Sequence, residues 1–156
     1  MQLGKLALGK ALGSSSSKLA TNVDEFVATL PRKATPTSSP ANLYEIKHTG
    51  AYDYTVSGGG TKFNIDGFRG TTILEAKFIN KPLASPFVPG SSIPDSIRAK
   101  IMTKVRGELT KIHSLIKSDA TPFKAVEIIT ISPEAKINFE TMLKELSVPG
   151  TVRLKP

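Results

Sequence analysis

Cysteine and tryptophan are both absent from this 156-residue chain, and histidine occurs only as His48 and His113. Without cysteine there is no disulfide scaffold, no zinc-thiolate site and no cysteine nucleophile. The two histidines show neither HxxxH nor HExxH spacing, which argues against a histidine-rich metal site. Aromatic residues make up 6% of the chain, and Tyr44, Tyr52 and Tyr54 are too few for a base-stacking platform. No apolar run approaches the roughly 18 residues of a membrane span, so no membrane partner is expected. Acid is scarce relative to base: 13 Asp+Glu stand against 21 Lys+Arg, a formal charge of +8. That balance points to a polyanionic partner. The length suits one domain, and about 150 residues bury roughly two thirds of the unfolded surface without any staple.

Composition divides the chain near residue 40. Residues 1–20 are largely Gly, Ser, Ala, Leu and Lys with an LGK echo, and ATPTSSPAN at 34–42 has linker composition. Between them Thr21 or Asn22 is placed to cap a short helix carrying Phe26, Val27 and Leu30. Residues 1–40 therefore read as a connector from a larger parent or a partly ordered arm, and 41–156 as the functional domain.

From residue 41 the pattern is helix, three strands, helix, strand, helix, strand. Leu43, Tyr44 and Ile46 suit a helical turn ended by Gly50, and Tyr52, Tyr54 and Val56 alternate as a strand up to Gly58-Gly59-Gly60. Two further strands are expected at 61–68 and 71–79, forming a hairpin about Arg69-Gly70. A Pro-rich loop leads to a helix over Asp95–Lys117 with an apolar stripe of Ile97, Ile101, Val105, Leu109, Ile112 and Ile116. A strand over 125–131 follows. Ser132-Pro133-Glu134 then starts a helix that buries Ala135, Phe139, Met142, Leu143 and Leu146, before a closing strand at 151–154. A strand–helix–strand unit after a meander predicts an α/β (α+β) fold, a mixed β-sheet flanked by helices.

The segment FNIDGFRGTTILEAKFIN carries the chemistry. Side chains alternate along a strand, so Glu75 and Lys77 share one face while Leu74, Ala76 and Phe78 take the apolar face. If Phe68 pairs with Thr71, Asp66 lies opposite Ile73 and diagonal to Glu75, about 7–8 Å away. Two carboxylates so placed can lean onto one hard cation such as Mg²⁺, with Mn²⁺ as the alternative. Lys77 then orients and helps to deprotonate the attacking water, or stabilises charge on the phosphate. The plainer reading of Glu75 and Lys77 is a solvated cross-strand charge pair.

Asp66 and Glu75-Ala76-Lys77 on consecutive strands, followed by helix and strand, resemble the PD-(D/E)xK nuclease superfamily. Tyr44-Glu45 through Thr49-Gly50, Phe63 to Gly67, Leu74 to Lys77, Arg106 to Leu109 and Val126 to Thr130 are similar to its restriction-endonuclease-fold toxin domains. Those domains lie at the C-termini of Rhs-type and contact-dependent bacterial toxins. The resemblance spans about 44–155, with Ile65 where the motif's name has proline. It implies a metal-dependent nuclease, secreted or delivered into the cytoplasm of a rival bacterium and neutralised in the producer by a cognate immunity protein. It also implies Asp66 and Glu75 as metal ligands and Lys77 as the catalytic lysine. Glu45 stands as either a third ligand or an exposed helix acid.

Other positions suit nucleic acid. Asn64 shares the face of Asp66, where it serves either as a phosphate contact or as an ordinary strand residue. The 95–117 helix carries a net +4, and Arg98, Lys104 and Arg106 are candidate backbone contacts. Three function classes remain at this point: a Mg²⁺-dependent DNase toxin, an RNase or housekeeping repair or junction nuclease of the same fold, and a non-catalytic basic nucleic-acid-binding module. For the toxin, an acidic immunity protein is the expected partner, since opposite charge steers association.

Overall fold

A computed structural model describes residues 23–156. The LGK echo and the Thr21 or Asn22 cap lie outside the described residues. Helix α1 covers 23–28 of the described residues. Next come strand β1 (Arg32–Ala34), helix α2 (Pro40–Thr49), and strands β2 (Tyr52–Gly58), β3 (Thr61–Ile65), β4 (Gly67–Arg69) and β5 (Thr72–Lys77). Helix α3 (Asp95–Lys117), strand β6 (Ala125–Thr130), helix α4 (Pro133–Glu145) and strand β7 (Gly150–Leu154) complete the chain.

Two sheets form: an antiparallel one in the order β1-β2-β3 and a mixed one in the order β4-β5-β6-β7. In the second, β4 and β5 are antiparallel while β5, β6 and β7 run parallel. Each parallel step is bridged by a helix, α3 and then α4, as parallel pairing requires. The mixed sheet flanked by helices is the architecture expected from the sequence and is consistent with a restriction-endonuclease-like fold. The main core joins Val56 and Ile65 of the first sheet, Ile73, Val126 and Ile128 of the second, and the inner faces of α3 and α4. A smaller cluster of Tyr44, Leu74 and Ile129 seats α2 on the opposite face of the second sheet.

The expected single hairpin of 61–68 with 71–79 is corrected. The strand starting at Thr61 hands over at Asp66: β3 pairs with β2, and only β4 pairs with β5. Residues 61–65 are held in the first sheet by the two-residue turn Gly59-Gly60, whose φ angles of +58° and +76° fit a tight hairpin turn. The chain turns at Gly70-Thr71, closing on the Arg69↔Thr72 pair.

The linker reading of 34–42 is also corrected. Ala34 belongs to β1 and pairs with Tyr52, while Ser39 accepts the Asn42 N–H at 3.1 Å and Pro40 opens α2. Val23 and Val27 lie in the main core, so the described part of the expected arm packs onto the domain from residue 23 onward. In α3 the stripe holds from Val105, with Leu115 added, but Ile97 is 49% exposed. The turn beginning there faces the 81–94 loop, and Arg98, seven residues before Val105, meets it with hydrogen bonds instead of apolar contact.

Candidate metal centre and cleft

Asp66 occupies the single-residue gap between β3 and β4. The observed pairs Phe68↔Ile73 and Gly67↔Leu74, continued by one residue, set Asp66 across from Glu75. The expected register, with Asp66 opposite Ile73, is therefore off by two because the turn is Gly70-Thr71. Two hydrogen bonds lock the pair: the Asp66 N–H donates to Glu75 Oε2 at 3.0 Å, and the Ala76 N–H donates to Asp66 Oδ2 at 2.8 Å. Gly67 lies so close beneath the Thr49 carbonyl that a Cβ has no room there. That contact brings the end of α2, and with it Glu45, against the strand junction.

Glu45, Asp53 and Asp66 each offer a carboxylate oxygen, and these oxygens all lie within 4.8 Å of one another. Thr35 Oγ1 donates to Glu45 Oε2 at 3.1 Å, while Asp53 Oδ1 is buried and without a hydrogen-bond partner among the described residues. A buried carboxylate oxygen whose close polar neighbours are other carboxyls is a costly arrangement unless a proton or a cation sits among them. An all-oxygen donor set of this kind fits a hard divalent cation. The crowding is visible in the titration of the group. Burial, then Asp53 and Asp66 close by, raise the Glu45 pKa to about 8 despite the Thr35 bond. Burial raises Asp66 to about 6, with the Ala76 N–H and Lys77 acting the other way.

Glu75 is 5% exposed, and burial followed by the Asp66 charge pushes its pKa well above the ordinary value. It lines the same cleft but lies outside the converging trio, since one of its oxygens receives the Asp66 N–H. Lys77 Nζ donates to Glu108 Oε1 of α3 at 3.3 Å. Burial opposes the ammonium charge, but Glu75, Glu108 and Asp66 outweigh it and hold the Lys77 pKa above the usual lysine value. These groups open onto a cleft of about 710 Å³ lined by five acids, namely Glu45, Asp53, Asp66, Glu75 and Glu108, and by two lysines, Lys62 and Lys77.

The candidate nucleic-acid residues separate. Asn64 lines the cleft and accepts a hydrogen bond from Thr55 Oγ1 at 2.8 Å. Lys104 is exposed one turn before Glu108, on the cleft side of α3. Arg106 sits on the other flank, paired with Glu145 of α4 at 2.6 Å. Arg98 donates to the carbonyls of Pro86, Val88 and Ser91 and to Ser91 Oγ, so its guanidinium braces the 81–94 loop. Sequence reasoning missed Asp53 and Glu108. Asp53 is the one charged residue of β2, and Glu108 is the one acid of α3 beyond its first turn.

No match is found among the curated proteins or the solved structures. The chain does match a protein family described as restriction endonuclease fold toxin 2 over residues 40–149. That stretch begins at the first residue of α2 and takes in all three acids of the trio, Glu75, Lys77 and both crossover helices. Since it covers well over half of the sequence, the chain belongs to the restriction endonuclease fold toxin 2 family.

Proposed function

We propose that the chain is a divalent-metal-dependent nuclease, with DNA the favoured substrate, that serves as the effector domain of an antibacterial toxin. The observation that carries this reading is the convergence of Glu45, Asp53 and Asp66, with its unpartnered oxygen, beside Glu75 and Lys77. These three acids would hold Mg²⁺ or Mn²⁺, and such an ion supplies Lewis-acid polarisation of a phosphate oxygen and an acidified water. Glu75 fixes Asp66 through its backbone N–H. Lys77, kept protonated by its acidic neighbours, offers positive charge to the phosphate where charge accumulates. That favours electrostatic stabilisation over water deprotonation as its role. Family membership supports delivery into a target cell and an immunity protein in the producer; an acidic one would suit the basic chain.

Digestion of plasmid DNA and total RNA, with Mg²⁺ or with EDTA, tests the proposal. Cleavage of DNA with Mg²⁺, lost in EDTA and in Asp66→Ala and Lys77→Ala, is expected. RNA cleavage alone selects the RNase reading, and binding without cleavage selects the non-catalytic module.

A further inference from the structure

The antiparallel sheet presents a polar face of which the metal trio uses only the end at Asp53. The pairs Thr55↔Asn64 and Ser57↔Lys62 put these four residues on one face, and the 2.8 Å hydrogen bond between Thr55 and Asn64 confirms it. Asp53 lies two residues before Thr55 on that face, and Lys33 of β1 is its direct cross-strand partner. The opposite face sends Val56 and Ile65 into the core. Lys33, Ser57, Lys62 and Asn64 are all exposed, and Lys62 and Asn64 line the cleft.

Three details give this face a chemical preference. Neither Lys33 nor Lys62 pairs with an acid among the described residues, unlike Arg69, Lys77, Arg106, Lys136 and Arg153. Thr55 donates its hydroxyl to the Asn64 amide oxygen, so the amide NH₂, a pure donor with no acceptor among the described residues, is the free end of this exposed side chain. At the rise of a β-strand, Lys62 and Asn64 stand about 7 Å apart, on the order of one phosphate-to-phosphate step of a polynucleotide strand. Lys62 and Asn64 in a row leading to the carboxylate cluster, with Lys33 flanking that cluster beside Asp53, match a polyanion whose backbone passes over a bound cation.

We propose that one strand of a polynucleotide runs along the outer face of β1-β2-β3, with Lys62 and, on the β1 side of Asp53, Lys33 binding backbone phosphates, and the Asn64 amide donating to the phosphate between Lys62 and the scissile bond. The inference rests on the nuclease reading and deepens it by assigning where the substrate lies. Phosphate contacts of this type position the substrate without reading its sequence. The sheet thereby takes over the role expected of Arg98 and Arg106, which are engaged elsewhere.

The test separates the two readings. Binding of a labelled duplex oligonucleotide to the Lys77→Ala chain is measured by fluorescence anisotropy over a salt series with Mg²⁺. Lys62→Ala and Lys33→Ala are then added singly and together. Each should weaken binding several-fold and reduce the slope of log K against log salt by about one. Asn64→Asp should weaken it further, because a donor becomes an acceptor with charge. In the otherwise native chain, Lys62→Ala should raise KM and leave kcat near its starting value. The lysines are exposed, so unchanged thermal unfolding verifies that the variants fold. If cleavage proceeds but the sheet variants bind like their parent, while Lys104→Ala loses affinity, the nuclease reading stands and the sheet assignment fails. If the sheet variants lose only protection by a co-expressed acidic protein, the face belongs to that partner and the assignment also fails. If the chain neither cleaves nor binds any nucleic acid, both fall together.

Discussion

At the scale of single residues, the acids beside the strand junction set a pH signature. Asp66 and Glu45 have pKa values of about 6 and about 8 in the folded chain, above the ordinary 3.8 and 4.5. Between the ordinary and the raised values the folded chain keeps protons that the unfolded chain has released. Stability without metal therefore falls as pH rises through that window and levels off above it. For Asp66 alone the loss is on the order of 3 kcal/mol. Denaturant unfolding in EDTA should show lower stability at pH 8.5 than at pH 5. Asp66→Asn, which keeps an acceptor for the Ala76 N–H, should narrow that difference, with Glu45 supplying what remains, while abolishing cleavage. A pH-independent wild type would refute the repulsive arrangement. The shared face of Glu75 and Lys77 was legible in the sequence because strand alternation puts them there, and Asp66 joined them through hairpin parity, which a register shift of two leaves unchanged. Asp53 and Glu108 were not legible, because their place in the cleft comes from a sheet and a helix whose packing no local pattern encodes.

At the scale of elements, two contacts hold the site's frame. Glu127 of β6 is buried and receives Arg69 from β4 and Arg153 from β7, both at 3.0 Å. Burial penalises its charge, but the two guanidiniums prevail and lower its pKa. Its contribution is thus present above the unfolded carboxylate pKa and fades as pH falls through the lowered folded value. Glu127→Ala should cost about 1–3 kcal/mol, read as a lower denaturation midpoint at neutral pH, with the gap to wild type narrowing in strong acid. The second contact is Gly67 under Thr49. Gly67→Ala must push the end of α2 away from β4, so it should lower stability and reduce metal affinity together. Retained affinity, measured by titration calorimetry, would show that α2 is placed by its apolar seat alone. The helices α3 and α4 and the strand β6 were readable from periodicity and from the Ser132-Pro133 start. The handover of the strand at Asp66 was not, since 61–68 reads as one run of strand residues in which only Phe68, out of step with Phe63 and Ile65, marks the change of sheet.

At the scale of the whole molecule, charge is unevenly placed. The chain carries +8, yet the five acids and two lysines lining the cleft give it a formal −3. A polyanion is thus attracted to the molecule and repelled at its centre unless cations are bound there. Tight oligonucleotide binding by Lys77→Ala should therefore require a divalent ion and not merely cleavage. EDTA should weaken it at least tenfold at fixed ionic strength, whereas equal affinity with and without the ion would mean that the substrate avoids the cleft floor. The fold class was legible at this scale because the motif and the order of elements agree, while the split into two sheets needed the register of every strand.

The strand junction at Asp66 has a mechanical side as well. The three converging carboxylates come from α2, from β2 of one sheet, and from the point where the chain passes to the other. A cation held among them is a cross-link in a chain that has no cysteine to make one. It closes loops between neighbouring segments, and mass action alone makes it worth about 2.7 kcal/mol at a hundredfold excess over its dissociation constant. An ion bound there would clamp the two sheets together, leaving the protein pliant where the ion is scarce and taut where it is plentiful.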